Sequence, residues 1–256
     1  SCLPFFLLPC ARQAEHWQDS LSLWRQAIRA CPTSSIAHVQ YANVLAHQAM
    51  GLGDIEAMHI ALDHYRYALS QNPKDVIAWH YLGRGLLLSE PDLEDLNEAR
   101  NALHRAITLD PRRAEAFGDL AEVYRKLALH EAGDAAAVAR RGLDVLREGV
   151  EANPRNVPLL NQLATLLTRN PDPSLRNGEE AVRWARQASA LLSDEHPEAL
   201  LTLAEAFAEA GRFEEAAAAA RRARELAEHR SRSRLAAEAA RLIELYTAGK
   251  TDHASP

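Results

Sequence analysis

The sequence predicts an all-α protein built as a stack of similar helical hairpins. Three observations support this prediction: one apolar pattern recurs along the chain, a proline recurs after each hairpin, and helix-forming residues dominate the composition. Alanine, leucine, arginine and glutamate are abundant, and no strand-like alternation of apolar and polar residues appears. Such repetition is typical of solenoids, in which each hairpin buries its apolar face only against its neighbours.

The first predicted helix of each hairpin, called helix A, carries a large apolar residue, a large and small pair, and a second large residue. Residues three, four and seven places apart share one face of an α helix. The small residue lets a neighbouring helix approach closely. The four clearest copies are Trp79-Leu82-Gly83-Leu86, Phe117-Leu120-Ala121-Tyr124, Leu160-Leu163-Ala164-Leu167 and Leu200-Leu203-Ala204-Phe207.

The second predicted helix, called helix B, has a small, large, small pattern that is followed five residues later by proline. Proline ends a helix because it lacks an amide donor and disfavours helix at the preceding residue. Three copies are Ala61-Tyr65-Ala68-Pro73, Ala99-Leu103-Ala106-Pro111 and Gly142-Leu146-Gly149-Pro154. The fifth hairpin departs from the pattern, because Ser193 stands at the proline position and Pro197 follows later in the sequence.

These two half-motifs together resemble the tetratricopeptide signature, W-x2-L-G-x2-Y followed by A-x3-F and P, along nearly the whole chain. The resemblance implies a right-handed α-solenoid of helix-turn-helix repeats with a C-terminal capping helix. The last repeat keeps the family register without insertion, from Leu200 to Ala223.

We expect one continuous solenoid, because each hairpin of a repeat array packs only on its neighbours. The expected segments are an apolar N-terminal segment (1–14), a solenoid of one lone B helix and about five repeats (15–230), a capping helix (231–248) and a disordered tail (249–256).

The N-terminal residues predict a membrane-associated, extracytoplasmic protein. Ser1 to Ala11 include the apolar stretch Leu3-Pro4-Phe5-Phe6-Leu7-Leu8, which carries no charge and is shorter than the ~20 residues that span a bilayer. The chain begins inside this run without a methionine, so we expect the end of a transmembrane or signal segment there. A membrane tether through the N-terminus, in a periplasmic or luminal compartment, is therefore favoured over a cytoplasmic location.

The run W-x-D-S-L-x-L-W-R-x-A, from Trp17 to Ala27, resembles the junction before the repeat tail of membrane O-mannosyltransferase-like glycosyltransferases. That resemblance implies a tail that binds the acceptor polypeptide, with the catalytic acidic residues upstream of Ser1. An alternative interpretation is that Trp17 and Trp24 are core residues of the lone B helix, because aromatic residues seven apart on a helix are common packing devices.

The sequence indicates neither an enzyme nor a nucleic-acid-binding protein. A net charge of −6 argues against nucleic acid as a dedicated partner. There is no glycine-rich phosphate loop, no Cys-x2-Cys pair and no Gly-x-Ser-x-Gly motif. His59 and His64 are five residues apart and do not stack on one helical face. We therefore predict no catalytic residue, no metal site and no cofactor.

Recognition of a protein or peptide segment remains as the predicted function. In the tetratricopeptide family the A helices line the concave face, and residues one and five places after the first large apolar residue point into the groove. The resemblance therefore implies that Asn43 and Arg84 are exposed there. The complete set of predicted groove residues is Val39, Asn43, His80, Arg84, Leu87, Glu122, Arg125, Asn161, Thr165, Arg169 and Glu205.

This mixed surface suits an extended peptide held by side-chain hydrogen bonds to its backbone. We predict a non-catalytic interaction scaffold. Two alternatives remain open: the acceptor-recognising tail of a membrane glycosyltransferase, and an envelope lipoprotein that assists pilus or secretin assembly.

Overall fold

The computed structural model describes residues 20–130, 133–193 and 195–252. In this part of the chain there are twelve α helices, one short 3-10 helix and no β strand, which confirms the predicted all-α architecture. The helices are α1 (Ser20–Ala30), α2 (Ser35–Leu52), α3 (Ile55–Gln71), α4 (Val76–Leu88), α5 (Leu93–Leu109), α6 (Ala114–His130), α7 (Ala135–Ala152), α8 (Val157–Arg169), α9 (Gly178–Leu191), α10 (Pro197–Glu209), α11 (Phe213–His229) and α12 (Ser233–Thr247), and the 3-10 helix is Pro173–Leu175.

The chain divides into two compact units, residues 1–123 (unit 1) and 124–256 (unit 2). In unit 1, α2 packs on α3 and α4 packs on α5 as hairpins, α3 also packs on α4, and the lone B helix α1 packs on α2. In unit 2, the hairpins are α8 with α9 and α10 with α11, and α12 packs on α11. Four A helices, α2, α4, α8 and α10, therefore each contact their own helix B and the helix before them.

Helices approach most closely at the small residues that the sequence singles out. A methyl group added to Gly83 of α4 would lie 2.6 Å from the Cγ of Leu103 and 3.1 Å from the backbone oxygen of Ala99, both on α5. Ala164 and Ala204, at the same position in unit 2, have no exposed surface. The predicted register of the hairpins is therefore confirmed at these positions.

Proline shapes the turn from helix B to the next helix A in the same way at four places. Pro32, Pro73, Pro111 and Pro154 each occupy the second position of a turn, in which the residue before proline accepts a backbone hydrogen bond of 3.0–3.2 Å from the residue three places later. Proline fixes φ at the value that this position requires. In three of the four turns the last residue is the N-cap of the next helix; these residues are Ser34, Asp75 and Asn156.

The expected departure at the fifth hairpin is also present. Ser193 has a positive φ of 58°, and Pro197 lies in the first turn of α10 instead of in the turn before it. Proline is tolerated at this position because the first amides of a helix have no intrahelical partner.

The B helices of each unit are joined by an arginine that binds two carboxylates. In unit 1, Arg66 of α3 donates to both carboxylate oxygens of Glu98 on α5, at 2.9 and 2.7 Å, and to Asp63 at 3.0 Å. In unit 2, Arg147 of α7 donates to both oxygens of Glu180 on α9, at 2.9 and 2.8 Å, and to Asp144 at 2.9 Å. We call these groups the Arg66 clamp and the Arg147 clamp.

The C-terminal helix α12 lies within the predicted capping segment, and the residues directly after it fold back onto the helix. Gly249 is left-handed with φ 68°, and the Lys250 amide donates to the Leu245 carbonyl at 3.0 Å. Arg241 binds Asp252. The predicted disorder of residues 249–256 stays a prediction, and residues 253–256 lie outside the described residues.

The predicted N-terminal segment, 1–14, and Trp17 of the glycosyltransferase-like run also lie outside the described residues. Among the helices that the structure describes, none has the length and apolar character needed to cross a membrane.

Candidate binding surface on the A helices

All eleven predicted groove residues lie on A helices, which contact one another within each unit. In unit 1, α2 packs against α4, and in unit 2, α8 packs against α10. We call the layer formed by α2, α4 and the part of α6 up to residue 123 the unit 1 A layer. The helices α8 and α10, with the capping helix α12, form the unit 2 A layer.

Three of the eleven residues are buried, which corrects their expected exposure. Val39, His80 and Leu87 retain 3%, 2% and 5% of their surface. Helix α4 contacts α2, α3 and α5, and α2 contacts α1, α3 and α4. Because each of these helices has three neighbours, more of its surface is buried than the face marked by the repeat motif. Val39, His80 and Leu87 lie on this additional buried surface.

His80 is held by two residues that the sequence analysis did not single out. Its Nδ1 accepts a hydrogen bond from the Arg113 guanidinium at 3.1 Å, and its Nε2 lies 2.9 Å from the Asp119 carboxylate. Arginine only donates, so Nδ1 carries no proton and Nε2–H donates to Asp119. This arrangement fixes an uncharged ring in a structural role.

A signal for Arg113 exists in the sequence, although it is indirect. Arg113 ends the third proline turn, where the equivalent residues Ser34, Asp75 and Asn156 are N-caps. Arginine is a poor substitute for such a cap. An arginine at this position therefore indicates a role other than capping, which here is the hydrogen bond to His80.

Asn43 is half-buried and already hydrogen-bonded, which corrects its expected free exposure. Its Oδ1 accepts from the Tyr65 hydroxyl at 2.7 Å. Tyr65 is 1% exposed, and burial raises the pKa of its hydroxyl, so the phenol stays protonated as a donor. Asn43 therefore satisfies a buried tyrosine of α3, and its amide group is the part that a partner could use.

In the described part of the chain, Arg84 lacks the carboxylate partners that Arg66 and Arg147 have. It is half-buried on α4, one turn after His80, and among the described residues it makes no hydrogen bond and no ion pair. By contrast, the guanidinium groups of Arg66 and Arg147 each bind two carboxylates. Arg84 is therefore a cation of the unit 1 A layer that is available to a ligand.

In unit 2, two predicted groove residues bind each other. The Arg169 guanidinium of α8 forms a two-pronged ion pair with the Glu205 carboxylate of α10, with Nε and Oε2 2.8 Å apart. The Glu205 side chain is only 11% exposed. Burial raises the pKa of its carboxyl, and the hydrogen bond from Arg169 opposes this rise.

The remaining predicted residues lie at the surface or partly below it. Asn161 and Thr165 are half-buried on α8, and the Oδ1 of Asn161 has no hydrogen-bond partner in the described part of the chain. Glu122 is half-buried and Arg125 is exposed on α6. A binding role for these four residues stays a prediction.

Within the residues that the structure describes, no group of three or more histidine, cysteine, aspartate or glutamate side chains is arranged to hold a metal ion. The ion pairs of the A layers instead join neighbouring helices, as Arg169 and Glu205 do.

No protein-family model matches the sequence, and no curated protein matches it either. Solved structures do match. TTC0263, a thermophilic TPR protein of Thermus thermophilus, is 26% identical with a TM-score of 0.55, over 83% of this chain and 100% of that chain.

Two further matches extend over most of this chain at lower identity. YrrB, described as a TPR protein with an unusual peptide-binding site, is 19% identical with a TM-score of 0.55, over 85% of this chain and 97% of that chain. PilF of Pseudomonas aeruginosa is 19% identical with a TM-score of 0.57, over 90% of this chain and 91% of that chain.

These similarities agree with the hairpins, the small residues at helix contacts and the proline turns described above. The fold of this chain is the tetratricopeptide fold, an all-α solenoid of helix-turn-helix repeats that ends in a capping helix.

Proposed function

We propose that the chain is a non-catalytic interaction scaffold that binds an extended peptide or protein segment on its A helices. Helical repeat proteins commonly bind partners along such surfaces. The structural similarity to YrrB, whose description names a peptide-binding site, supports a peptide or protein as the partner.

The observation that carries this proposal is the unpaired cation of Arg84. Five other arginines bind carboxylates with two nitrogen atoms each, namely Arg66, Arg147, Arg169, Arg212 and Arg241. A half-buried guanidinium without such a partner loses hydration and receives no ion pair in return. A carbonyl or carboxylate of a bound segment would supply that partner.

Asn43 extends this polar surface to the neighbouring helix, since α2 and α4 pack against each other. Its oxygen is bound to Tyr65, and its amide group can donate to a peptide carbonyl. Donors that bind peptide backbone carbonyls provide affinity with little dependence on the ligand sequence.

The test is selection of binders from a peptide library displayed on phage, followed by affinity measurements with a selected peptide. Arg84→Ala should weaken binding about tenfold or more, because a charge-assisted hydrogen bond contributes roughly 1.5–3 kcal/mol. Its melting temperature should stay close to that of the parent, since Arg84 makes no hydrogen bond and no ion pair in the described structure.

Arg105→Ala is the matched control, because Arg105 is exposed on the B helix of the same hairpin. The control should bind like the parent. If the Arg84 variant and the parent bind the peptide with equal affinity, Arg84 is not part of the binding surface.

The two alternatives from the sequence depend on residues outside the described part of the chain. A membrane glycosyltransferase tail predicts about ten or more transmembrane helices ahead of Ser1 in the full-length reading frame, and an envelope lipoprotein predicts a signal peptide with a lipidation cysteine. Both alternatives, the membrane tether and the extracytoplasmic location remain hypotheses, and each is compatible with peptide binding on the A helices.

A further inference from the structure

A cluster of charged side chains lies on the unit 2 A layer, beside the residues that follow the capping helix. Both terminal nitrogen atoms of Arg241 on α12 bind the two carboxylate oxygens of Asp252, with Nη2 and Oδ2 3.1 Å apart. The charge of Asp252 also acts on Arg169 and on Glu205, which form their own ion pair. Arg169, Glu205, Arg241, Tyr246 and Asp252 define what we call the Arg241 cluster.

The Arg241 cluster contains a buried donor that nothing in the described structure uses. Tyr246 is 1% exposed, and its hydroxyl has no hydrogen-bond partner among the described residues. Burial raises the pKa of this hydroxyl, and the nearby charges of Glu205, Asp252, Arg169 and Arg241 all act on it. The hydroxyl is thus a buried donor without an acceptor in the described structure, and Asp252 does not supply one.

We propose that the Arg241 cluster is a binding site for an aspartate or glutamate side chain of a partner segment, and that Asp252 occupies this site in the free chain. The partner's carboxylate takes the two nitrogen atoms of Arg241 and accepts the hydrogen bond of Tyr246. This inference rests on the proposed peptide-binding function and adds the chemical class of one ligand residue.

The charges of the cluster favour an acidic ligand residue over a basic one. The Arg169 cation is already bound by Glu205, so Arg241 is the cation that a ligand carboxylate contacts directly. The Glu238 carboxylate acts on Arg241 less than Asp252 does and opposes that contact only in part. An incoming carboxylate that displaces Asp252 leaves the net charge of the cluster unchanged. A cationic ligand residue would displace Asp252 and leave the Arg241 guanidinium facing a second cation, at a cost in desolvation and repulsion.

The contact with Asp252 favours a side-chain carboxylate over a chain terminus as the ligand. Asp252 binds Arg241 through its side chain, not through a terminal carboxylate. The Asp252 side chain is 28% exposed. An acidic residue within a longer segment can approach in the same way. The two-pronged geometry is the one in which arginine binds carboxylates most specifically.

The experiment measures binding of an acetylated and amidated peptide, (Ala-Asp)3, to the full chain and its variants by fluorescence anisotropy. Asp252→Asn keeps the size of the side chain and releases Arg241, so affinity should rise about tenfold if the occupied state dominates the free chain. Arg241→Gln in the Asp252→Asn background should remove this gain. Arg222→Gln in the same background is the matched control, since Arg222 is exposed on α11 and pairs with Glu225.

Hydrogen exchange provides a second readout that does not depend on mutations. Binding of the peptide to the parent chain should accelerate exchange of the Lys250 amide, which is bound to Leu245 in the free chain. If the exchange rate of the Lys250 amide is unchanged at saturating peptide, the peptide does not displace Asp252 and the proposal is wrong.

Two other outcomes would also overturn the proposal. One is equal affinity of the Asp252→Asn variant and the parent. The other is that the amidated acidic peptide does not bind, whereas an acetylated hexa-alanine peptide with a free C-terminal carboxylate does. That result would show that the site binds a chain terminus. If Arg84→Ala weakens binding of the library-selected peptide while Asp252→Asn leaves the affinity for the acidic peptide unchanged, the proposed carboxylate site is wrong and the proposed scaffold function is retained.

Discussion

Unit 1 and unit 2 use the same contact between B helices but present different surfaces. The Arg66 clamp and the Arg147 clamp have the same three members in the same order, and their hydrogen-bond distances agree within about 0.1 Å. The scaffold contacts therefore repeat from one unit to the other. The surfaces are free to diverge because these contacts hold the hairpins together.

The surface of unit 1 is apolar in many places. Among the described residues, ten large apolar side chains of unit 1 are exposed and only one of unit 2, Leu129, is exposed. The ten are Ile36, Met50, Leu52, Ile55, Ile60, Tyr67, Ile77, Tyr81, Leu88 and Leu93. The A layer of unit 2 instead carries the Arg241 cluster. The exposed surface of unit 1 is therefore the more apolar of the two, whereas the A layer of unit 2 carries a cluster of ion pairs.

The largest expected effect on stability comes from comparing an alanine substitution at one glycine of each unit. A methyl group on Gly178 of unit 2 would lie 2.3 Å from the backbone nitrogen of Ala210 and 2.5 Å from the carbonyl carbon of Glu209. Gly178→Ala should therefore lower the free energy of unfolding by about 3 kcal/mol, because backbone atoms cannot move aside as side chains can. Urea denaturation measures this change.

The matched variant in unit 1 is Gly85→Ala. Here the added methyl group meets the ends of two side chains, Leu62 at 2.8 Å and Met58 at 3.6 Å. The gain in helix propensity of about 1 kcal/mol offsets their displacement, so we expect a change within about 1 kcal/mol. A Gly178→Ala protein as stable as Gly85→Ala would show that the contact between α9 and α10 is looser than described.

The second prediction compares the two clamps. The Glu180 carboxylate is 13% exposed and the Glu98 carboxylate 37% exposed, so removal of the arginine leaves a more deeply buried charge in unit 2. Arg147→Ala should cost about 1–2 kcal/mol and Arg66→Ala about 0.5–1 kcal/mol. Arg147 also lowers the pKa of Glu180, so this carboxyl should titrate at higher pH in the variant.

Double-mutant cycles with Glu98→Ala and Glu180→Ala isolate the two pair energies. Added salt should weaken the Arg66 pair more, because it is the more exposed of the two. Equal pair energies with equal salt dependence would show that burial does not distinguish the clamps.

The third and smallest effect is a pH dependence that comes from a pair of histidines in unit 1. His38 Nε2–H donates to the Pro32 carbonyl at 3.0 Å. The two Nδ1 atoms of His38 and His64 lie 2.7 Å apart, so one of them donates and the other accepts, and both rings cannot carry a proton there at once. Tyr41 and Tyr67 also pack on the pair.

Burial and the neighbouring His38 lower the pKa of His64, and Asp63 opposes them. The unfolded chain then binds protons more tightly than the folded chain, so stability is lost as pH falls below about 6.5. The melting temperature should drop by about 2 °C more between pH 7.5 and pH 5 in the parent than in His64→Gln. His59→Gln, an exposed position on the same helix, is the control and should retain the parent's pH dependence.

Much of the fold could be predicted from the sequence because its signals are local. The small residue at Gly83, the prolines that end B helices and the departure at Ser193 each act over a few residues, and the structure has the corresponding contact or turn at each. The capping helix is also where its composition places it.

The candidate site was less predictable because its contacts join residues far apart in the chain. His80 is bound by Arg113 and Asp119, which lie 33 and 39 residues later, and Asn43 is bound by Tyr65 across a hairpin. The repeat motif gives the face of the helix on which a residue lies. It does not show how many neighbouring helices cover that face, and for this reason Val39 and Leu87 are buried.

The recurrence of the clamp has a consequence for how such a chain can change in length. The residue after the large apolar position of helix B is arginine in the hairpins of Tyr65 and Leu146, whereas it is His104 in the hairpin between them. Deleting the hairpin of Leu103 alone would place Arg66 beside the hairpin of Leu146, where Arg141 stands at the position of the Glu98 acceptor. Deleting both of these hairpins would instead place Arg66 beside Glu180, so their loss as a pair preserves an ion pair of the same kind.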